Sequence, residues 1–360
     1  MKIKSFHIQC VAVPLTTPIK TASGTVGVSP LVLLTVKTDD GLEGSSIVFT
    51  YTPSMLRPVA DIIGKLESMV AGAPLDPSSI AQQLQSRFKL LGTHGMLGMA
   101  IAGVDMALWD AYARFHDEPL HRLLRGKPKK IPAYGCVGLD GAASGAQQAA
   151  AAVAMGMRGV KVKVGYPGVE EDLAVIRAVR EVVGTERALM VDYNQCLEPA
   201  EAGRRLEALS GERLEWIEEP VFAHDFRALA SLACRTAHPL QAGENWWSAH
   251  EFAAAGALGA TRRFMADVMK CGGVTGWLEV DAIASAMGLP LSSHLWPEVS
   301  AQLMFASGAC GTEGSWLEYV DWWNPINETP LQLQDGFAVA SELPGAGIVL
   351  NKRAVQMYQA

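Results

Sequence analysis

Residues 159–194 read GVKVKVGYPGVEEDLAVIRAVREVVGTERALMVDYN, in which two short apolar runs flank a longer helical stretch. Six further short apolar runs occur between residues 131 and 320, and they read IPAYGCVG, LEWIEEP, PLQAGEN, RFMADVM, PLSSHLW and SWLEYV. A strand followed by a helix, repeated this many times, is typical of a parallel α/β fold, and eight strands suggest a barrel. The sequence contains no GxGxxG or GxxxxGKS motif, so it gives no support to a dinucleotide site or a P-loop.

The chain on either side of this barrel pattern has a different texture. Residues 1–50 are strand-like, because LVLLTVKT and SSIVFTY are rich in β-branched and aromatic residues and an Asp-Asp-Gly turn separates them. Ahead of them, TTPIKTASGTVGVSP (16–30) has the composition of a long loop. Residues 54–123 have helical periodicity, and GKPKKIP (126–132) marks a boundary. From about residue 328 onward the α/β rhythm is lost, and we expect this last segment to pack back on the N-terminal domain.

The composition restricts the classes of partner. The 360 residues are 49% hydrophobic and 19% charged, so the chain can fill a large core and is not disordered as a whole. The net charge of −7 argues against a nucleic acid or an acidic membrane surface. No apolar run is long enough to span a bilayer, and the N-terminus lacks the apolar core of a signal peptide. The sequence contains one basic cluster, which we interpret as a solvated linker. It comprises Arg122, Arg125, Lys127, Lys129 and Lys130.

The six cysteines are scattered along the chain and have neither CxxC nor zinc-ligand spacing. We therefore expect reduced thiols in a cytoplasmic protein.

An ionisable residue stands near the carboxyl end of seven successive strands. The intervals between these residues are 29, 26, 26, 23, 27 and 24, and one β/α unit has about that length when eight units take ~250 residues. All seven side chains are therefore expected to project into one cavity at one face of the barrel. At any single position a structural ion pair is the simpler explanation, but seven in step favour a functional site. They are Lys163, Asp192, Glu218, Glu244, Asp267, His294 and Glu318.

Three of these residues, Asp192, Glu218 and Glu244, are carboxylates on consecutive strands. Adjacent carboxylates repel one another and a divalent cation removes the repulsion, so we predict a Mg²⁺ site with oxygen ligands. Glu219 follows Glu218 directly, and the alternation of a strand sends the two side chains to opposite faces. Composition leaves open which of the two is the ligand, and a strand-end salt bridge is the alternative role for Glu219.

Two lysines and a histidine are candidate bases. Lys161 and Lys163 lie two residues apart in one strand, hence on one face, and each ammonium is expected to lower the pKa of the other. A lysine with a lowered pKa can act as a general base near neutral pH. Asp267 lies one strand before His294, and a carboxylate beside an imidazole fixes its tautomer and raises its basicity. A hydrogen-bonded core histidine is the alternative reading of His294.

Seven motifs occur in order along the barrel region: KVKVGYP, VDYNQ, WIEEP, GENW, KCGGVTGW, SSHL and WLE. With them the chain resembles the enolase superfamily, and within it the mandelate racemase subgroup, from PIKTASGTVG (18–27) to PGAGIVL (344–350). The resemblance implies an α+β capping domain with lid loops over residues 1–127 and a modified TIM barrel, (β/α)₇β, over 128–327. Residues 328–360 would return to the capping domain.

The resemblance also assigns roles. It implies that Asp192, Glu218 and Glu244 hold Mg²⁺, so that Glu218 rather than Glu219 is the ligand. Lys163 would be one base and His294, supported by Asp267, the other. Muconate-lactonising relatives carry a lysine base where this chain has Asp267, which favours the mandelate racemase subgroup. The remaining implied contacts are Lys161 and a protonated Glu318 with the substrate carboxylate, and Asn194 with the α-hydroxyl.

Two positions depart from the family pattern. A serine that binds the substrate carboxylate is replaced by Cys136, and a thiol is a weaker donor than a hydroxyl. Ser23 replaces an aliphatic residue of the lid. The rest of the predicted lid wall is mostly apolar and comprises Ile19, Val26, Phe49 and Tyr51, of which Val26 and Tyr51 are predicted substrate contacts.

The two candidate bases on separated strands predict racemisation of a small 2-hydroxy carboxylate similar to mandelate, through an enediolate. Dehydration of an acid sugar (an aldonate or aldarate) is the alternative, because the same residues could remove the α-proton and protonate a leaving hydroxyl. A polyol needs polar partners, and the apolar lid wall therefore favours the racemase. A non-catalytic ligand-binding barrel is the third hypothesis, and the complete set of bases and metal ligands argues against it. We also expect a homo-oligomer.

Overall fold

The structure of the chain is a computed structural model that describes residues 1–22, 24–311 and 313–360. Its N-terminal part is a three-stranded antiparallel sheet in the order β1-β2-β3, covered by helices. The strands are β1 (Ile3–Thr21), β2 (Gly24–Thr38) and β3 (Glu43–Phe49). The helices are α1 (Leu56–Val70), α2 (Pro77–Arg87), α3 (Gly95–Phe115) and α4 (Leu120–Leu123), and a 3₁₀ turn (Pro53–Met55) precedes α1. The apolar side chains of α1 recur at Leu56, Val59, Ile63, Leu66 and Val70, which places one buried face against the sheet.

The second part alternates strands and helices. Its strands are β4 (Ala133–Val137), β5 (Gly159–Lys163), β6 (Ala188–Asp192), β7 (Ile217–Glu218), β8 (Leu240–Ala242), β9 (Arg263–Asp267), β10 (Leu291–His294) and β11 (Leu317–Tyr319). Its helices are α5 (Gly141–Ala154), α6 (Val169–Val183), α7 (Pro199–Ala208), α8 (Phe226–Ala233), α9 (Ala249–Ala257), α10 (Gly273–Met287) and α11 (Pro297–Ala306). A 3₁₀ turn (Leu209–Gly211) follows α7. The predicted eight strands are therefore all present, with a helix after each of the first seven.

These eight strands form one parallel sheet in the order β10-β9-β8-β7-β6-β5-β4-β11. The two ends of the sheet meet where Ser293 N donates to Trp316 O over 3.0 Å. The strand interiors are buried on both faces, as expected for a barrel wrapped by helices. The predicted (β/α)₇β barrel with an N-terminal capping domain is thus confirmed, and all carboxyl ends of the strands lie at one face.

The predicted loop at residues 16–30 is wrong. The segment extends the β1–β2 hairpin, with Ile19 opposite Val26 and Lys20 opposite Thr25. Alternating β-branched residues favour strand here, and a register shift between Pro14 and Ile19 accommodates the prolines of the edge strand β1. Ser23 lies outside the described residues.

The last part of the chain runs along both domains. It contains β12 (Leu333–Gln334), β13 (Phe337–Ala338) and α12 (Lys352–Met357), after a 3₁₀ turn (Asn324–Ile326). Cys10 O accepts a backbone hydrogen bond from Ala360 N over 3.0 Å, and Ala12 N donates to Tyr358 O over 2.9 Å. These bonds give the edge strand β1 partners at the chain terminus.

The structure locates the basic cluster of residues 122–130 and the six cysteines. Lys129 of the basic cluster is half-buried and donates to Cys310 O over 3.0 Å, whereas the other four cations of the cluster are exposed. None of the six cysteines forms a disulfide. Among the described residues, no helix combines the length and the apolar character that crossing a membrane requires.

A buried carboxyl joins the capping domain to the barrel. Asp105 of α3 is 2% exposed and accepts hydrogen bonds from Thr275 N (3.0 Å) and Thr275 Oγ1 (2.5 Å) at the start of α10. Trp109 Nε1 donates to the same hydroxyl over 2.9 Å. Burial raises the pKa of Asp105 to about 7 against the opposing effect of these hydrogen bonds.

This carboxyl predicts a pH dependence of stability. A raised pKa means that the folded state binds the proton more tightly, so the free energy of unfolding falls as pH rises from about 4 to about 7. The full difference amounts to roughly 4 kcal/mol at ~1.4 kcal/mol per pKa unit. In Asp105→Asn the side chain stays neutral, and urea unfolding between pH 4 and pH 8 should show a flatter profile than the wild type. Parallel profiles would contradict the prediction.

Candidate active site

A cavity of about 780 Å³ lies between the carboxyl ends of the barrel strands and the capping domain. Nine of the twelve predicted site residues line it, namely Val26, Tyr51, Cys136, Lys161, Lys163, Asn194, Glu244, His294 and Glu318. The other three, Asp192, Glu218 and Asp267, are fully buried behind them. Each contacts one of the lining residues, so the structure brings all twelve together.

The strand geometry explains this convergence. Parallel strands that end at one barrel face present their last side chains to the same space, and Lys163, Asp192 and His294 are each the last residue of a strand. Glu244 follows β8 after Gly243, whose φ is +132°. A Cβ at position 243 would lie 2.5 Å from Met265 O, so only glycine allows the chain to turn Glu244 into the cavity.

The three predicted metal ligands form a compact cluster. Asp192, Glu218 and Glu244 each offer a carboxylate oxygen, and these oxygens all lie within 4.8 Å of one another. Burial raises the pKa of Glu218 well above its usual range, with the other carboxylates acting in the same direction and Lys161 opposing. Three buried oxygen ligands suit a hard divalent cation such as Mg²⁺, which would relieve their mutual repulsion. The residues present therefore fit the predicted metal.

Glu219 lies beside the cluster but is not one of its three members. β7 ends at Glu218, and Glu219 has a φ of +35°, so strand alternation does not continue through it. Its Oε2 accepts from Asn245 Nδ2 over 2.7 Å, and its buried Oε1 has no hydrogen-bond partner among the described residues. Burial raises the pKa of Glu219 to about 8. A strand-end salt bridge was the alternative role for Glu219. In the described part of the chain no cation lies within ion-pair distance of its carboxylate.

Each lysine is paired with a carboxylate. Lys161 Nζ lies 2.6 Å from Glu218 Oε1, and Lys163 Nζ lies 2.7 Å from Asp192 Oδ2 and 2.8 Å from Asn194 Oδ1. Burial lowers the pKa of Lys163 and so does the neighbouring Lys161, but Asp192, Glu244 and Cys136 together raise it, and the net direction is upward. Lys161 thus lowers the pKa of Lys163 as predicted, but the nearby anionic groups outweigh this repulsion between the ammonium groups. A lowered pKa of Lys163 beside bound Mg²⁺ stays a prediction.

His294 and Asp267 form a dyad. His294 Nδ1 lies 2.7 Å from Asp267 Oδ2, and the carboxylate also accepts from Trp296 Nε1 over 3.0 Å. With Nδ1 directed to Asp267, Nε2 faces the cavity, 3.3 Å from Glu244 Oε2. Burial lowers the pKa of His294, but Glu244, Glu318 and Asp267 raise it, and the net direction is upward. The arrangement is one in which an imidazole can carry a proton to or from the cavity.

The contacts of Glu318 within the protein favour its ionised form, and its role as a neutral acid beside a substrate carboxylate stays a prediction. Its Oε1 lies 3.1 Å from Lys161 Nζ and accepts from Cys136 Sγ over 2.8 Å, while its Oε2 accepts from Leu295 N over 2.9 Å. Burial raises the pKa of this carboxyl, but Lys161 and His294 more than offset it and lower the pKa to about 2. The donors to this carboxylate come from three different segments, and strand-end spacing does not reveal them.

The residues that line the cavity and were not predicted from the sequence include Gln195, Asn245, Trp247 and Lys270. These four lie three to five residues beyond the strand ends, where a search of the strand ends alone does not reach. Lys270 is the first residue of the motif KCGGVTGW, and a cation next to this pair of glycines was the sequence signal that could have identified it as a site residue.

Backbone conformation also distinguishes this site. Of the nine non-glycine residues with positive φ in the described chain, six lie in or beside it: Tyr51, Asn194, Gln195, Glu219, Leu295 and Trp296. Such conformations cost ~1–3 kcal/mol each and persist where surrounding contacts fix them, most often at functional sites.

Comparison with known proteins identifies the family. The sequence profile of the enolase C-terminal domain-like family matches residues 145–354, and that of the mandelate racemase / muconate lactonizing enzyme N-terminal domain matches residues 3–125. Together they span most of the chain.

Individual relatives have several activities. The chain is 29% identical to an L-talarate/galactarate dehydratase of Salmonella typhimurium, over 99% of this chain and 91% of that protein. It is 26% identical to an N-succinyl-L-Arg/Lys racemase of Bacillus cereus, over 99% and 97%. A crystal structure of an enolase from Bradyrhizobium, complexed with magnesium and mandelic acid, superposes with a TM-score of 0.94 at 38% identity, over 100% of this chain and 98% of that one. The chain belongs to the enolase superfamily, in its mandelate racemase subgroup.

Proposed function

We propose that the protein is a Mg²⁺-dependent enzyme that removes the proton α to a carboxylate and racemises a 2-hydroxy acid similar to mandelate. One observation carries the proposal: Lys163 and His294 end different strands of the barrel and line one cavity, and Asp267 supports His294 from behind. A base on each side of an α-carbon can take a proton from one face and return one to the other. The Bradyrhizobium relative in complex with magnesium and mandelic acid supports both the metal and the substrate class.

The residues of the chain divide the work as follows. Lys163 and His294 transfer the proton, and Asp267 holds the imidazole with Nε2 toward the substrate and stabilises its charged form. Lys161 supplies a permanent positive charge for the substrate carboxylate. When bound, Mg²⁺ supplies positive charge that stabilises the enediolate and offsets the Asp192 charge that holds Lys163 protonated. Because its neighbours lower the pKa of Glu318, this carboxyl would adjoin a substrate carboxylate only after taking up a proton.

The cavity wall favours a substrate with an apolar substituent. Ile19, Val26, Phe49, Met96 and Trp322 line the side that the capping domain closes. An aromatic ring buries its surface there without losing hydrogen bonds, whereas the hydroxyls of an acid sugar would lose theirs to water. Acid-sugar dehydration remains the second candidate because an L-talarate/galactarate dehydratase is among the relatives and because Asn194, Gln195 and Asn245 add polar groups near the metal cluster.

The experiment is a comparison of two product assays on one enzyme preparation with Mg²⁺. The circular dichroism of one enantiomer of mandelate should decay to zero, and no keto acid should form from a panel of aldonates and aldarates. Keto acid release from an acid sugar without racemisation of any 2-hydroxy acid would overturn the proposal in favour of dehydration. If neither mandelate nor any aldonate or aldarate exchanged its α-proton with solvent, the non-catalytic barrel would be favoured.

Cys136 should limit the rate with mandelate-like substrates. Its thiol lies 2.8 Å from Glu318 Oε1, at the edge where the substrate carboxylate is proposed to bind. A hydroxyl is a stronger donor, and one good hydrogen bond contributes ~0.5–1.5 kcal/mol. Cys136→Ser should therefore raise kcat/KM for mandelate by about tenfold at most. Cys136→Ala is the matched control without a donor, and an equal gain in both variants would show that steric relief, not hydrogen bonding, is responsible.

A further inference from the structure

Lys270 is a third ammonium group on the cavity, and the mechanism above gives it no role. It lies three residues after Asp267 and is 6% exposed. Burial lowers its pKa, but Tyr51, Asp267 and Glu244 raise it, and the net direction is upward. A buried charge of this kind is costly unless its partners are well placed, so its contacts indicate what it does.

The contacts of Lys270 reach both domains. Its Nζ donates to Asn245 Oδ1 over 2.7 Å, in the segment that follows β8. The same Nζ lies 4.9 Å from the centre of the Tyr51 ring, in the capping domain, and 5.9 Å from that of Trp247. A cation over an aromatic face contributes ~0.5–2 kcal/mol. Lys270 is thus a bridge between the lid side of the cavity and the barrel.

Asn245 continues the bridge to the metal cluster. Its Nδ2 donates to Glu219 Oε2 over 2.7 Å and lies 3.3 Å from Oε1 of Glu244, one of the three ligands. Because the Lys270 ammonium has only donors, it fixes Oδ1 on its own side and forces the amide NH₂ toward the carboxylates. A positive charge at Oδ1 also polarises the amide and strengthens the bonds that Nδ2 donates. Loss of the charge would leave the amide free to flip and to present its oxygen to two carboxylates.

We propose that Lys270 is a positioning residue that couples the capping domain to the metal site: through Asn245 it orients Glu244, and through the Tyr51 ring it makes that orientation depend on closure of the lid. The proposal rests on the Mg²⁺ site but not on which reaction the enzyme performs. Coupling of this kind is reciprocal, so Mg²⁺ should also order the segment around Tyr51.

The first test is Mg²⁺ titration of the purified full-length protein by calorimetry, without substrate. Lys270→Met keeps the aliphatic stem and removes the charge, and its Kd for Mg²⁺ should rise 10- to 100-fold, the usual effect of losing a partner of a metal ligand. Lys270→Arg should restore most of the affinity. Lys20→Met is the matched control, because it removes a lid cation that pairs with Asp140 and does not touch Asn245, and its Kd should stay within twofold of the wild type.

The path through Asn245 is tested by a double-variant cycle. Asn245→Leu should weaken Mg²⁺ binding, and adding Lys270→Met to it should cause little further loss, because residues of one network are not additive. Thermal unfolding without metal checks that each variant is folded, and Lys270→Arg provides a second variant if the methionine variant fails to fold. The proposal would be overturned if the losses of Mg²⁺ affinity in the two single variants multiplied in the double variant. It would also be overturned if a folded Lys270→Met bound Mg²⁺ with a Kd within twofold of the wild type.

The coupling to the lid is tested by hydrogen–deuterium exchange of the segment around Tyr51. In the wild type, Mg²⁺ should slow exchange in residues 50–56, and in Lys270→Met it should not. Equal protection in both proteins would overturn the coupling, even if the affinity for Mg²⁺ falls. Neither readout requires a substrate, so racemase activity and this coupling can fail independently.

Discussion

Replacing His294 with asparagine should abolish racemisation of a 2-hydroxy acid while leaving exchange of the α-proton in one enantiomer. Each turnover needs both bases, but Lys163 lies on a different strand and keeps its contacts with Asp192 and Asn194 in this variant. Removing a general base costs ~10²–10⁴-fold, so exchange by the remaining base stands clear of background. Proton NMR of each enantiomer in D₂O measures exchange, and circular dichroism measures racemisation.

Lys163→Met should give the mirror-image result. His294 remains oriented by Asp267 and should exchange the proton of the other enantiomer only. Asp267→Asn is the informative control, since it keeps the imidazole but removes the carboxylate that fixes its tautomer, and it should resemble His294→Asn in selectivity. If both base variants exchange the same enantiomer, or if neither exchanges any, the two bases do not flank the α-carbon. A His294 variant that instead stalls at loss of a β-hydroxyl would favour the dehydratase.

The spacing of strand ends predicted the positions of the site because it depends on the fold alone. One β/α unit has a nearly constant length, so residues 23 to 29 apart return to the same barrel face, and Lys163, Asp192 and His294 converge as expected. The hairpin at 16–30 was not predicted because its glycines and prolines indicate a loop, and its strand pairing depends on a partner that local composition does not include.

The charges of the site could not be predicted in the same way. The pKa of Glu318 depends on burial and on Lys161, His294 and Cys136, which lie far from it in sequence. The direction in which the pKa of Lys163 shifts likewise depends on the distance between its Nζ and Asp192 Oδ2, which is 2.7 Å. Residue spacing along the sequence predicts the strand on which each residue lies but not this distance. Protonation states are set by distances of a few ångström, whereas sequence periodicity locates residues only to a strand end.

Glu244→Gln and Glu218→Gln should remove Mg²⁺ binding and, with it, turnover. Each change replaces a ligand oxygen carrying negative charge by a neutral amide of the same shape, and the metal contributes several kcal/mol to stabilising the enediolate, so activity should fall by at least about 10³-fold. The fold should survive, because each variant removes one of three buried carboxylates that repel one another within 4.8 Å. In thermal unfolding, Mg²⁺ should raise the midpoint of the wild type and not that of either variant, since only a protein that binds the ion is stabilised by it.

The neighbouring Glu219 supplies the matched control for this prediction. It is as buried as Glu218 and one residue away, but its carboxylate bonds to Asn245 and lies outside the ligand cluster. Glu219→Gln should therefore weaken Mg²⁺ binding by no more than the 10- to 100-fold that loss of an outer contact causes, and it should keep a measurable Mg²⁺-dependent rise in the unfolding midpoint. A larger loss of Mg²⁺ affinity in Glu219→Gln than in Glu218→Gln would show that Glu219, and not Glu218, is the metal ligand. Full activity of the wild type in excess chelator, with metal removal verified by elemental analysis, would contradict a metal-dependent reaction altogether, because Lys161 alone would then have to stabilise the charge that develops on the substrate carboxylate.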